Sequence, residues 1–81
     1  MLHKQEARMS AERDKERIAA SVRHLRRRAG LTQSELADKA NISRATLARI
    51  EAERVDPAAS TLRRLADALG VTVNDLFGEG G

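Results

Sequence analysis

Residues 31–51, LTQSELADKANISRATLARIE, hold two short amphipathic segments with only a few residues between them. Thr32 stands three positions before Glu35, the spacing of a capping box. There the hydroxyl accepts from a free N–H of the first turn, and the acid side chain accepts in return from the threonine N–H. That spacing predicts a helix over about 33–39, barely two turns, with Leu36, Ala37 and Ala40 on its buried face. Ser43 predicts the start of the next helix, over about 44–52, with Leu47 and Ile50 inward. Asn41 falls where the chain must reverse, and asparagine is the non-glycine residue that best tolerates a left-handed conformation. Ile42 is placed to plug the corner. Short helical hairpins are common, so the residues themselves must say which one this is.

The flanks read the same way. Ile18, Val22, Leu25 and Ala29 recur at helical spacing and predict a helix over roughly 16–29 that Gly30 ends. Pro57 suits the first turn of a fourth helix, and Asp56 is an alternative start because Ala58 carries no capping oxygen. This helix runs to Leu69, with Leu62, Leu65, Ala66 and Leu69 inward, and stops at Gly70. Thr72 and Asp75 form a second capping box for a last short helix carrying Leu76 and Phe77. The expected fold is all-α, a compact five-helix bundle around one core. Residues 16–78 make the domain and 79–81 a flexible tail, while residues 1–15 either fray or continue the first helix.

With 81 residues the chain has room for one domain and a small core. It has no cysteine to staple that core, and Phe77 is its only aromatic residue. No apolar run approaches the roughly 20 residues of a membrane span, and the charged N-terminus is unlike a signal peptide. A cytoplasmic protein with no membrane partner is therefore expected. His3 and His24 have no metal-ligand spacing and are expected at the surface. No nucleophile–base set, glycine-rich phosphate loop or metal cluster stands out, so no enzyme activity, cofactor, metal or small-molecule ligand is expected. The charge is uneven. Residues 1–30 carry nine basic against four acidic side chains and residues 31–81 six against eight, giving the net +3. A basic first third fits an anionic partner or a solvated helix surface.

A two-turn helix, a tight turn and a second short helix have the spacing of a helix-turn-helix unit. The residues GLTQSELADKANISRATLARIE, followed by a proline and TLRRLADALGVTVNDLF, closely resemble the lambda-repressor and Cro-like (XRE) helix-turn-helix family. The resemblance runs from about Ile18 to Phe77 and leaves out residues 1–15. Two positions depart from the family pattern: Asn41 stands where glycine is usual, and Ala58 where a serine cap is common.

The resemblance implies a bacterial or phage-type transcriptional regulator that binds operator DNA, usually as a homodimer. Arg44, Ala45 and Arg49 match the family positions that reach base edges, with Thr46 and Ala48 secondary. Gln33 matches a phosphate-contacting glutamine, and Ser43 and Arg54 match positions that touch the backbone on the other side. Arg26 and Glu51 match an ion pair joining the first and third helices. The C-terminal helix and the loop before it, here Val71, Val73, Leu76 and Phe77, match a common dimer surface, although each of the four also suits the core. Arg27 and Arg28 either favour the dipole of the first helix or contact phosphates.

The residues read alone agree. With Leu47 and Ile50 inward, residues 44, 45, 48 and 49 share the opposite face. An arginine there can donate two hydrogen bonds to guanine O6 and N7. The free N–H groups at the start of the second helix suit an anion beside Gln33. The expected function is sequence-specific binding of double-stranded DNA, with control by concentration, dimerisation or a separate partner. The alternative is a protein-interaction module or adaptor on the same scaffold.

Overall fold

The computed structural model describes the backbone of residues 2–78 and the side chains of residues 13–78. Its described residues form five helices and no strand: α1 (Leu2–Arg28), α2 (Gln33–Ala40), α3 (Arg44–Glu51), α4 (Ala59–Leu69) and α5 (Val73–Leu76). The fold is the expected all-α, five-helix bundle. The side chain of His3 and the whole of the expected tail, 79–81, lie outside the described residues.

Local chemistry sets most of the helix starts. Thr32 Oγ1 accepts from the Glu35 N–H at 3.1 Å, and Glu35 Oε1 accepts from the Thr32 N–H at 2.9 Å. Thr72 and Asp75 repeat this box at α5, at 3.2 and 2.9 Å. Ser43 Oγ accepts from the Thr46 N–H at 3.0 Å to open α3. The start of α4 differs from expectation, because it lies at neither Pro57 nor Asp56. Ala58 stays extended (φ −62°, ψ 154°) with no side-chain cap, and the helix begins at Ala59. Packing sets that start: Leu62, Leu65 and Ala66 are buried, and the chain from α3 must reach them.

Four of the five helix ends share one device. After α1, the Leu31 N–H returns to the Arg26 carbonyl and the Gly30 N–H to Arg27, both at 3.0 Å. The same pair of reversals closes α2 at Asn41 and α4 at Gly70. Each turning residue has a positive φ: 73° at Gly30, 56° at Asn41 and 70° at Gly70. The fourth case lies beyond α3, where no glycine or asparagine marks it. Arg54 N–H bonds the Arg49 carbonyl at 2.9 Å and Glu53 N–H bonds Ile50 at 3.1 Å, so the residue held at φ 61° beyond α3 is a glutamate. A side chain with a Cβ is strained in this region.

The core takes Ile18, Ala19 and Val22 from α1, Leu36, Ala37 and Ala40 from α2, Leu47 and Ile50 from α3, Leu62, Leu65 and Ala66 from α4, and Leu76 from α5. Leu25, Ile42, Val55, Leu69 and Phe77 pack around it, half-buried. Ala29, expected inward, is exposed because α1 stops at Arg28 and the chain turns away at Gly30. Phe77, expected within the last helix, instead ends it. α1 itself runs unbroken through residue 15, so its backbone is about 40 Å long at 1.5 Å per residue. An exposed Lys15–Asp56 contact at 4.0 Å reaches the loop before α4 and adds little stability.

Two stability predictions follow from the helix ends. Replacing Glu53 with glycine relieves the left-handed strain and is expected to raise stability by about 0.5–1 kcal/mol, whereas Gly70→Ala lowers it by about 1 kcal/mol. Urea denaturation measures both, and a less stable Glu53→Gly would contradict the account of α3's end. The second concerns acid. The Thr32 N–H and hydroxyl hold the Glu35 carboxyl below its ordinary value of 4.5. A carboxyl lowered on folding stabilises above its unfolded pKa, and that gain disappears as pH falls through the lower, folded value. Glu35→Gln should therefore flatten part of the stability loss seen on acidification from about pH 5 to 3, in thermal melts across that window.

Candidate nucleic-acid interface

α3 presents two chemically distinct sides. Leu47, Ile50 and Glu51 are buried, while Arg44, Ala45 and Arg49 are exposed and Thr46 and Ala48 half-buried. The apolar pair anchors the helix; the 3.6-residue repeat carries Arg49 to the solvent side, while Arg44, three residues before Leu47, is exposed in the first turn. Alanines at 45 and 48 leave that side low in relief. Ser43 and Thr46 share a hydroxyl hydrogen bond of 2.7 Å, so the two side chains stand together at the N-terminus of α3. Arg54 is exposed just beyond Glu53.

Behind α3 sits a polar hub. Glu51 is buried, and its carboxylate accepts from Arg26 Nε at 2.8 Å through Oε2 and from Arg26 Nη2 at 3.0 Å through Oε1. Arg26 Nη1 also donates to the Leu31 carbonyl at 2.9 Å. Arg23 Nη1 donates to the main-chain carbonyl of Glu51 at 3.1 Å, placing a cation at the C-terminus of α3 where the helix dipole favours it. The hydrogen bond to Glu51 pushes the Arg26 pKa further up, against burial, which lowers it, and with the carboxylate's charge adding to the rise. A buried carboxylate is tolerable when its charge is matched and its lone pairs are filled.

Gln33 occupies the first position of α2, and its Nε2 donates to Glu51 Oε1 at 3.2 Å. The expected phosphate-contacting glutamine is thus joined to the same carboxylate as Arg26. Neither Arg23 nor the Gln33–Glu51 bond is visible in the sequence, since the partners are 28 and 18 residues apart. Arg64 was also missed; its Nη1 donates to the Asn41 carbonyl at 3.2 Å and braces the turn between α2 and α3.

The remaining candidates spread out. Arg27 and Arg28 are exposed in the last turn of α1. Arg28 lines a shallow depression with His24, Leu25, Val71 and Asp75, on the side of α1 away from Arg23 and Arg26. Leu76 is completely buried in the chain's own core and has no surface for a dimer contact. Val71, Val73 and Phe77 are half-buried and keep some. Among the described residues, no group of three or more His, Cys, Asp or Glu side chains is placed to hold a metal ion, and no helix is long and apolar enough to cross a membrane.

Comparison with known proteins places this geometry among relatives. Residues 22–76 match the helix-turn-helix family model HTH_3. The immunity repressor protein of Bacillus phage phi105 is 44% identical over 62 residues, which cover 76% of this chain and 43% of that protein. The HTH-type transcriptional regulator DdrOP3 of Deinococcus deserti is 37% identical over 61 residues, covering 75% of this chain and 47% of that protein. The chain thus spans less than half the length of either relative. Among solved structures, an HTH_3 family transcriptional regulator from Vibrio cholerae superposes with a TM-score of 0.80 at 27% identity, over 86% of this chain and 39% of that one.

The hub generates its own prediction. Glu51→Ala leaves the Arg26 guanidinium largely buried without its carboxylate and is expected to cost about 3–5 kcal/mol, a large part of a small domain's stability. Arg26→Met with Glu51→Leu removes both charges and should recover most of that loss. Chemical denaturation of the single and double variants decides. Losses that simply add would mean the pair does not act as a unit.

Proposed function

Because the chain belongs to the HTH_3 helix-turn-helix family, we propose that it binds double-stranded DNA sequence-specifically as part of a transcriptional regulator, of repressor or controller type. In this reading it works as a homodimer on a pseudo-palindromic operator, with α3 in the major groove. The observation that carries the reading is the exposure of Arg44 in the first turn of α3 and of Arg49 across the helix from Leu47.

Each role follows from chemistry. Arg44 and Arg49 donate to guanine O6 and N7, so each half-site contains at least one guanine. Ala45 and Ala48 let the helix sit deep and offer methyl groups to thymine; Thr46 is a further base-edge contact. Gln33, Ser43 and Arg54 meet phosphates on either side of the groove, and Arg27 and Arg28 extend the positive field toward the backbone. Phosphate neutralisation then makes affinity fall steeply with salt. Dimerisation through Val71, Val73 and Phe77 sets the two copies of α3 about 34 Å apart, one turn of the duplex.

Fluorescence anisotropy on a duplex selected from a random pool tests this reading. Arg44→Ala and Arg49→Ala are expected to lose about 1–3 kcal/mol of preference for the selected site over unrelated DNA. Gln33→Ala should weaken binding to all duplexes alike. Equal affinity of these variants and the parent chain for both duplexes would refute the assignment. Weak, sequence-indifferent binding by the parent would point to a protein-interaction module instead.

A further inference from the structure

Gln33 has a specific relation to α3. A carboxylate already engaged by Arg26 can only accept hydrogen bonds, so the end of the Gln33 amide that faces Glu51 must be the NH2 group. That contact fixes which way round the amide lies. It uses one N–H; the second, on the same planar nitrogen, diverges from Glu51. The amide cannot turn over without setting its own oxygen against the carboxylate. Glu51 in turn is held by Arg26 through both carboxylate oxygens and by Arg23 through its main chain, so the whole arrangement is anchored on α1.

We propose that Glu51 is a positioning residue for phosphate recognition: it locks the Gln33 amide, donor side forward, at the N-terminus of α2 so that the second N–H meets a phosphate of the duplex. This rests on the DNA-binding reading above. Glu51 is the last residue of α3 and Gln33 the first of α2. A single carboxylate therefore ties the backbone-gripping donor to the base-reading helix and keeps their spacing constant. A glutamine that merely filled a spare lone pair of Glu51 would have no such consequence for DNA.

A double-mutant cycle on one fixed duplex at constant ionic strength separates the two. Gln33→Ala is expected to weaken binding about tenfold, the scale of a hydrogen bond to a charged group. Glu51→Gln replaces the acceptor-only partner with one that accepts either face of the amide. It should weaken binding by a similar factor, and the double variant should be no weaker than either single one. Losses that multiply would overturn the proposal, as would a Gln33→Ala variant that binds as the parent does. Sequence preference that depends on Arg44 and Arg49 is measured separately, so failure here leaves the underlying reading to its own test.

Should circular dichroism show Glu51→Gln unfolded, the parent chain still answers. In the 15N-labelled protein, the Gln33 side-chain NH2 pair, identified by its loss in Gln33→Ala, should give two well-separated proton signals. The one bonded to Glu51 should stay in place when duplex is added, while the other moves. Loss of that bonded signal on DNA binding, or an unmoved pair, would overturn the proposal.

Discussion

A carboxylate only 4% exposed has lost nearly all its water, and the loss must be compensated inside the chain. For Glu51 the compensation comes from Arg26, 25 residues earlier, whose planar guanidinium matches both carboxylate oxygens. Because the two ends of this contact lie on α1 and α3, it fixes the rotation of α3 about its own axis more sharply than Leu47 and Ile50 do. Apolar contacts tolerate small rotations; a forked hydrogen bond does not. With α3 held in this way, its solvent side is Arg44, Ala45 and Arg49.

Helices of eight residues, such as α2 and α3, have little stability of their own in water. They persist because both ends are closed by specific bonds and one face is buried. Each starts on a hydroxyl and ends on a reversal that satisfies its last carbonyls. Three of the four reversals use a residue suited to the left-handed region. The fourth, after α3, uses Glu53, which is strained there and also sets a negative charge near the negative end of a helix dipole. Among the described residues, the two non-glycine positions with positive φ, Asn41 and Glu53, flank α3 on either side.

Much of this was legible in residue order. Thr32, Ser43 and Thr72 announce helix starts, because a cap is a bond between residues three apart. Asn41, Gly30 and Gly70 announce reversals, because a positive φ is a property of one residue and its neighbours. Ala45 and Arg49 on the solvent side of α3 could be read from Leu47 and Ile50, since helical periodicity makes one face imply the other; Arg44, three residues before Leu47, is exposed because it lies in the first turn. Ala58 misled for a related reason. It offers no local signal, so the start of α4 was set by where Leu62 and Leu65 reach the core. Ala19 is buried beside Ile18 although its small side chain gives little signal, and Ala29 leaves the inward face because the helix ends one residue before it.

What residue order determined by itself, then, is the set of helices, most of their limits and most of the faces turned inward, all short-range consequences of capping, backbone sterics and periodicity. Tertiary structure decided which polar groups meet. Arg23 and Gln33 join Glu51 across 28 and 18 residues, and Arg64 braces Asn41 across 23, whereas the Arg26–Glu51 pair was expected only through the family resemblance. No pattern along the chain marks such partners, because they are selected by the packing of helices against one another. Leu76 shows the same divide: its spacing suited both the core and a dimer surface, and only the closing of α5 onto the bundle placed it inside.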